Sequence, residues 1–160
     1  MKLEKFNRLP RTEASLVLAR CCASSQWVKM MTQKRPFEEE TNLFAAADAI
    51  WRRLSPEDWQ EAFASHTHIA DSDGDGTIDA TGATQELIGT LTRHNAEYEK
   101  KFGYPFVVFA AGKSAPDVLA LLRERLGNTP ASEALIAAEE ERKIALLRLE
   151  NLLHIVESME

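Results

Sequence analysis

Cysteine is scarce in this chain: two residues in 160, adjacent at Cys21 and Cys22. Neighbours in sequence rarely bridge, and two thiols build neither a disulfide framework nor a zinc site, so a reducing compartment is expected. No apolar run is long enough to cross a bilayer, and the start, Met1-Lys2-Leu3-Glu4-Lys5-Phe6, has no apolar signal core. The end, Glu157-Ser158-Met159-Glu160, is no peroxisomal address. A cytoplasmic protein without a membrane partner is the expectation. A basic excess is missing too: 19 Lys and Arg stand against 25 Asp and Glu, a net charge of −6. That argues against a general phosphate-backbone binder and hence against a nucleic-acid partner, while leaving room for a local anion site. There is no internal repeat, no low-complexity tract and no linker. At 44% hydrophobic residues, the chain can bury one substantial core, and its length predicts one domain over 1–160.

What is present is helical. Thr12 is placed to cap a helix through Ala14 to Cys21, and a short helix is expected around Trp27 to Met31. Pro36 breaks the pattern. Leu43, Ala46, Ala47, Ile50, Trp51 and Leu54 recur at helical spacing. Ser55-Pro56-Glu57-Asp58 is a start signal, with a serine cap, a first-turn proline and acids at the positive end of the dipole; that helix runs towards His66. Further helices are expected from about Ala83 to Phe102, from Ser114 to near Gly127, and from Ala131 or Ser132 to about Val156. Phe106 to Ala111 is a short apolar run that fits a buried strand or a buried extended segment equally well. One such segment cannot make a sheet. The fold class expected is all-α, a compact single-domain helical bundle with a long C-terminal helix.

Two residues stand out against these patterns. Arg148 lies one turn after Ile144 and one turn before Leu152, on or beside the apolar stripe of the last helix. A charge there needs a partner. An internal carboxylate or a snorkelled side chain would satisfy it, and so would the planar anion of a substrate held by the guanidinium fork. His66 falls where an amphipathic helix ends. It is either a helix-end histidine favoured by the negative dipole end, or a proton shuttle working near neutral pH. His94 and His154 read as solvated. Trp27, Trp51, Trp59, Phe37 and Phe63 read as core, and Cys21-Cys22 as helix interior without a base nearby.

Residues 71–82 form a turn-rich acidic stretch. Asp71-Ser72-Asp73-Gly74-Asp75-Gly76-Thr77-Ile78-Asp79 starts like a calcium loop, with oxygens at positions 1, 3, 5 and 9 and glycine at 6. Position 12, where the motif needs a bidentate glutamate, is Gly82. Any calcium site here is expected to be weak, and Asp-Gly pairs make good turns without an ion.

Several distinct words carry a resemblance: "FNRLP", "RCCASSQWVKMM", "RPF", "IWRRLSPEDWQEAFASH", "NAEYEKKFGYPFVVFAAGKSA", "LLRERLGN" and "KIALLRLENLL". In this order and spacing, the chain resembles the 2-oxo-4-hydroxy-4-carboxy-5-ureidoimidazoline (OHCU) decarboxylases of urate breakdown over nearly its whole length. The resemblance implies an all-α homodimer that needs no metal or cofactor and acts on a small ureidoimidazoline substrate. The family's His-Pro-x-Ile-Gly type motif matches His66-Thr67-His68-Ile69-Ala70, with the histidine and Ile69 kept, so His66 is implied as catalytic and Thr67 as lining the substrate site. A Lys-Ile-x-x-x-Arg-Leu motif matches Lys143-Ile144 and Arg148-Leu149, which implies that Arg148 binds substrate. The apolar run Phe106, Val107, Val108, Phe109 and Ala110 matches a segment that lines the family's pocket partly through backbone groups.

One piece does not match. The family's Ser-x-x-Glu-Gln motif, between the histidine and the helix ending in Asn-x-x-Tyr, has no clear counterpart, and that interval is shorter here. Glu86 is the candidate for the catalytic acid, although it lacks the serine and glutamine and, counted back from Asn95, aligns better with an ordinary helix residue. The other reading is that Asp71 to Gly82 stands where the motif was. Three functions are therefore open: a working decarboxylase yielding (S)-allantoin, with Glu86, Asp75 or Asp79 replacing the lost acid; a catalytically impaired relative that binds a small anion or acts as a scaffold; and a weak calcium-binding domain using 71–79.

Overall fold

The computed structural model describes residues 1–66 and 84–154. These form eight helices and no strand: α1 (Leu3–Arg8), α2 (Arg11–Cys21), α3 (Ser25–Lys34), α4 (Glu40–Arg53), α5 (Pro56–Ala64), α6 (Gln85–Phe102), α7 (Ala115–Leu126) and α8 (Pro130–His154). The all-α class and the long last helix expected from the sequence are both found. Among the described residues, no helix is long and apolar enough to cross a membrane. The chain divides into two compact units, one of Met1–Ala62 with the chain from Arg142 onward, the other of Phe63–Glu141.

In the first unit, α3 packs against α2 and α4. Ser24 caps α3 by accepting from the Trp27 amide. The Trp27 indole donates to the Ala47 carbonyl at 3.2 Å, which satisfies a buried ring nitrogen while its body fills the core with Phe6, Leu18, Met31 and Leu43. Arg35 donates to the Phe6 and Leu9 carbonyls, each at 2.8 Å, and so closes the end of α1. α1 itself went unpredicted, being too short to show a period. The expected cap Thr12 lies inside α2 instead. That helix starts at Arg11, with Pro10 at the cap position, where the fixed φ of proline already suits helix entry. At α5, the serine start signal holds: the Asp58 amide donates to Ser55 Oγ at 3.3 Å, and Ser55 Oγ donates back to Asp58. Cys21 and Cys22 are buried and not joined in a disulfide. Trp59 is half-buried rather than core, its indole donating to the Trp51 carbonyl at 3.0 Å. His154 pairs with Glu40 at 2.8 Å.

In the second unit, α6 packs against α7. Thr84 caps α6 and Gly103 ends it at φ 89°, the left-handed region that a side chain would resist. A cluster of Phe63, Tyr98, Phe102, Tyr104 and Phe106 follows, with ring centroids 4.6–6.4 Å apart. Through it runs a buried ion pair. The Arg125 guanidinium donates to Glu133 at 2.6 and 2.9 Å and to the Val107 carbonyl at 2.6 Å, and it lies 4.3 Å from the centre of the Phe106 ring. Asn128 donates to the same carboxylate at 3.2 Å, as does the Tyr98 hydroxyl. Burial, reinforced by that bond, raises the Tyr98 pKa far above its ordinary value. α8 starts one residue before its predicted start, at Pro130 after Thr129, whose hydroxyl accepts from the Ser132 amide at 3.2 Å. His94, expected in solvent, is half-buried, and Arg123 points at its Nε2 from 3.5 Å.

Because Glu133 is fully buried, removing its cation leaves a carboxylate with no charge partner, held by the neutral donors Asn128 and Tyr98. Arg125→Met is expected to lower the free energy of unfolding by about 3–5 kcal/mol. Tyr98→Phe, which removes one donor to a charged acceptor, is expected to cost about 1–3 kcal/mol. Urea unfolding of both variants checks this; a change below about 1 kcal/mol for Arg125→Met would show that the pair does not hold the unit together.

Candidate active site

Residues 105–110 form an extended segment that belongs to no sheet. An extended backbone in a protein interior must find partners for its polar groups, and here side chains supply them. Asn95 Oδ1 accepts from the Phe106 amide at 3.4 Å, and the Val107 carbonyl takes Arg125. The Phe109 amide donates to Glu140 at 3.2 Å, and the Phe109 carbonyl accepts from Lys113 Nζ at 2.8 Å. The segment is therefore pinned at alternate points. The amides of Val108 and Ala110, both buried residues, donate to no partner among the described residues. The strand-or-extended ambiguity of the sequence resolves to the latter.

His66 belongs to the same unit. Its amide donates to the Phe63 carbonyl at 3.2 Å, closing α5 with a last turn. Phe63 is fully buried against Tyr104, with ring centroids 4.9 Å apart, and this anchors the end of the helix that carries the histidine. The imidazole keeps 13% of its side-chain surface accessible and bonds through Nε2 to Glu141 Oε2 on α8. Glu141 is 0% exposed, and its other oxygen, Oε1, has no hydrogen-bond partner among the described residues. Two consecutive residues of α8 thus hold the two parts of the site: Glu140 fixes the Phe109 amide and Glu141 fixes His66.

Sequence reasoning passed over Glu141, although the signal was there. It lies one turn after Ala137 and Ala138 and one turn before Ile144 and Ala145, all four buried. The test that singled out Arg148 would have singled out Glu141. Glu86, the sequence's candidate for the acid, is exposed in the first turn of α6, where its carbonyl accepts from the Thr90 hydroxyl at 2.9 Å. The carboxylate that meets His66 is Glu141 instead. Arg148 is half-buried on the part of α8 that belongs to the first unit, and it pairs with no carboxylate among the described residues. Thr67, His68 and the calcium-like stretch 71–79 lie outside the described residues.

A model of the OHCU decarboxylase family matches residues 7–150 of this chain. The uric acid degradation bifunctional protein TTL of Arabidopsis thaliana is 32% identical over 146 residues, which cover 82% of this chain and 45% of that protein. The 2-oxo-4-hydroxy-4-carboxy-5-ureidoimidazoline decarboxylase of Amia calva is 44% identical over 63 residues, 39% of this chain and 36% of that protein. The matched stretches are thus less than half the length of either relative. A crystal structure of an OHCU decarboxylase in the presence of (S)-allantoin superposes with a TM-score of 0.79 at 32% identity, covering 84% of this chain and 95% of that one. The family match takes in His66, the pinned segment, Glu141 and Arg148, and on it this chain belongs to the OHCU decarboxylase family.

Proposed function

We propose that the protein catalyses the cofactor-independent decarboxylation of 2-oxo-4-hydroxy-4-carboxy-5-ureidoimidazoline to (S)-allantoin in urate breakdown. The observation that carries this reading is a largely buried histidine gripped by a fully buried carboxylate, inside a region that matches the family. The name of the Amia calva relative points to the same substrate, and that of the Arabidopsis relative to uric acid degradation. The carbon–carboxylate bond breaks, carbon dioxide leaves, and the electron pair passes to the adjacent carbonyl as an enolate. A proton delivered to the carbanion carbon from one face then gives a single enantiomer of allantoin.

His66 is the group that delivers that proton. Arg148 holds the anionic end of the substrate and aligns the breaking bond; a half-buried guanidinium without an acid partner among the described residues supports this role. The amides of Val108 and Ala110 bind ring or ureido oxygens, Phe106, Val107 and Phe109 form the apolar wall, and Thr67, next in sequence to the histidine, contributes to substrate binding. The protein is a cytoplasmic homodimer in this reading, and the whole of 1–160 acts as one domain. The absent Ser-x-x-Glu-Gln segment favours a second reading, a relative that keeps the fold and binds a small anion without performing the chemistry.

The substrate is generated in situ from urate, and optically active allantoin is followed by circular dichroism. Rapid formation of one enantiomer is expected, with His66→Ala slower by about 10²–10⁴-fold. Racemic product at the spontaneous rate would leave the binding reading. Arg148→Lys keeps the charge but loses the planar fork, so a rise in KM and a fall in kcat/KM of about tenfold or more are expected. Glu86→Gln is expected to run at close to the parent rate; a loss as large as that of His66→Ala would return the acid role to Glu86. Light scattering should give about twice the 17.9 kDa chain mass.

A further inference from the structure

The bond between His66 and Glu141 determines which ring nitrogen does the chemistry. We infer that Glu141 is the positioning residue of the proposed decarboxylation: by accepting from Nε2 it holds His66 in the tautomer that transfers its proton through Nδ1. This deepens the reading above and rests on it.

Glu141 is fully buried, and a carboxylate out of water needs a donor. Its Oε2 meets His66 Nε2, while Oε1 has no partner among the described residues, so the imidazole is the donor it has there. An ionised carboxylate only accepts. Nε2 must therefore carry a proton, because the other neutral tautomer would aim a nitrogen lone pair at a carboxylate oxygen. With Nε2–H fixed, Nδ1 is the atom left to react: an N–H in the imidazolium and a lone pair in the neutral ring.

Among the described residues, several other charged groups are bound elsewhere. Glu140 accepts from the Phe109 amide, Glu133 from Arg125, and Glu61 of α5 from the Ser25 amide at 2.7 Å. Arg142, next along α8, pairs with Asp48 at 3.3 Å. Glu141 alone, among these acids, faces the imidazole.

The proton balance closes. As the carbon–carboxylate bond breaks and its electron pair is delocalised, the imidazolium gives the Nδ1 proton to carbon. The ring becomes neutral with Nε2–H still on Glu141, and it recovers a proton at Nδ1 from solvent. Glu141 stays ionised throughout. It stabilises the imidazolium before transfer and fixes the ring plane, so that the proton arrives on one face.

The test uses the full chain with Glu141→Gln, which keeps the volume and removes the charge, and Glu141→Asp, which keeps the charge and shortens the reach. In Glu141→Gln, kcat is expected to fall by about 10²-fold or more with KM nearly unchanged. Glu141→Asp is expected to recover part of that loss. Nitrogen-15 resonances of the His66 ring report the tautomer without reference to activity. The parent should keep Nε2 protonated across the pH range. Glu141→Gln should populate the Nδ1–H tautomer. Thermal melting confirms that the variants are folded. Parent-like kcat in a folded Glu141→Gln would overturn the inference and leave the decarboxylase reading standing, and so would an Nδ1–H ring in the parent itself. Racemic product at the spontaneous rate from the parent would sink the decarboxylase reading, and this inference with it.

Discussion

A carboxylate taken wholly out of water must be met by donors, and the rest of the second unit is organised around two of them on α8, Glu133 and Glu141, both fully buried. Glu133 is met by Arg125, Asn128 and Tyr98. To reach it, Arg125 must lie over the Phe106 ring, and from there its remaining nitrogen takes the Val107 carbonyl. One buried acid on α8 thereby fixes α6, α7 and the extended segment between them. Glu141 is met through one oxygen, by the histidine at the end of α5.

The difference between the two acids separates scaffold from chemistry. A carboxylate with several donors has no reason to move or to exchange a proton, and it makes a rigid frame. A carboxylate whose one donor among the described residues is an imidazole is instead coupled to a group that can give and take a proton. The extended segment shows the same division on a smaller scale. Its carbonyl at Val107 and its amide at Phe109 are anchored by side chains, while the amides of Val108 and Ala110 donate to no protein partner among the described residues. Pinning alternate groups presents the others in fixed directions, which is what recognition of a small polar ring requires.

The sequence made the helices legible because most carry their own punctuation. Ser24, Ser55, Thr84 and Ser114 each cap a helix by accepting from an amide three residues on. Where local signals were weak or in conflict, reading failed: α1 is under two turns long, and α2 begins at Pro10 and Arg11 instead of at the better-looking Thr12. His66 and Arg148 were visible as residues out of keeping with their surroundings. Glu141 obeys the same logic and was hidden by its company. In Glu139-Glu140-Glu141-Arg142-Lys143 it reads as one charge in a solvated run, and only the alanines a turn before and after it betray a buried face. A charge run is a poor guide to exposure when it wraps a helix, because successive residues point about 100° apart. Glu139 and Glu140 can therefore differ in surroundings from a neighbour that is completely enclosed.

Burial also governs where an acid that orients a histidine can come from. A glutamate that orients a histidine need not come from the segment following it; it needs a Cβ within reach and a surrounding that excludes water. A packed helix meets both conditions well, because its backbone is already ordered and the side chain alone has to be fixed. Loss of an acid from a loop is therefore less damaging when a helix can present another at the same imidazole. The bond between Glu141 and His66 offsets part of what burial costs each of them. A pair of that kind can persist in a sequence whose neighbouring loop has changed, since breaking either half leaves the other buried and alone.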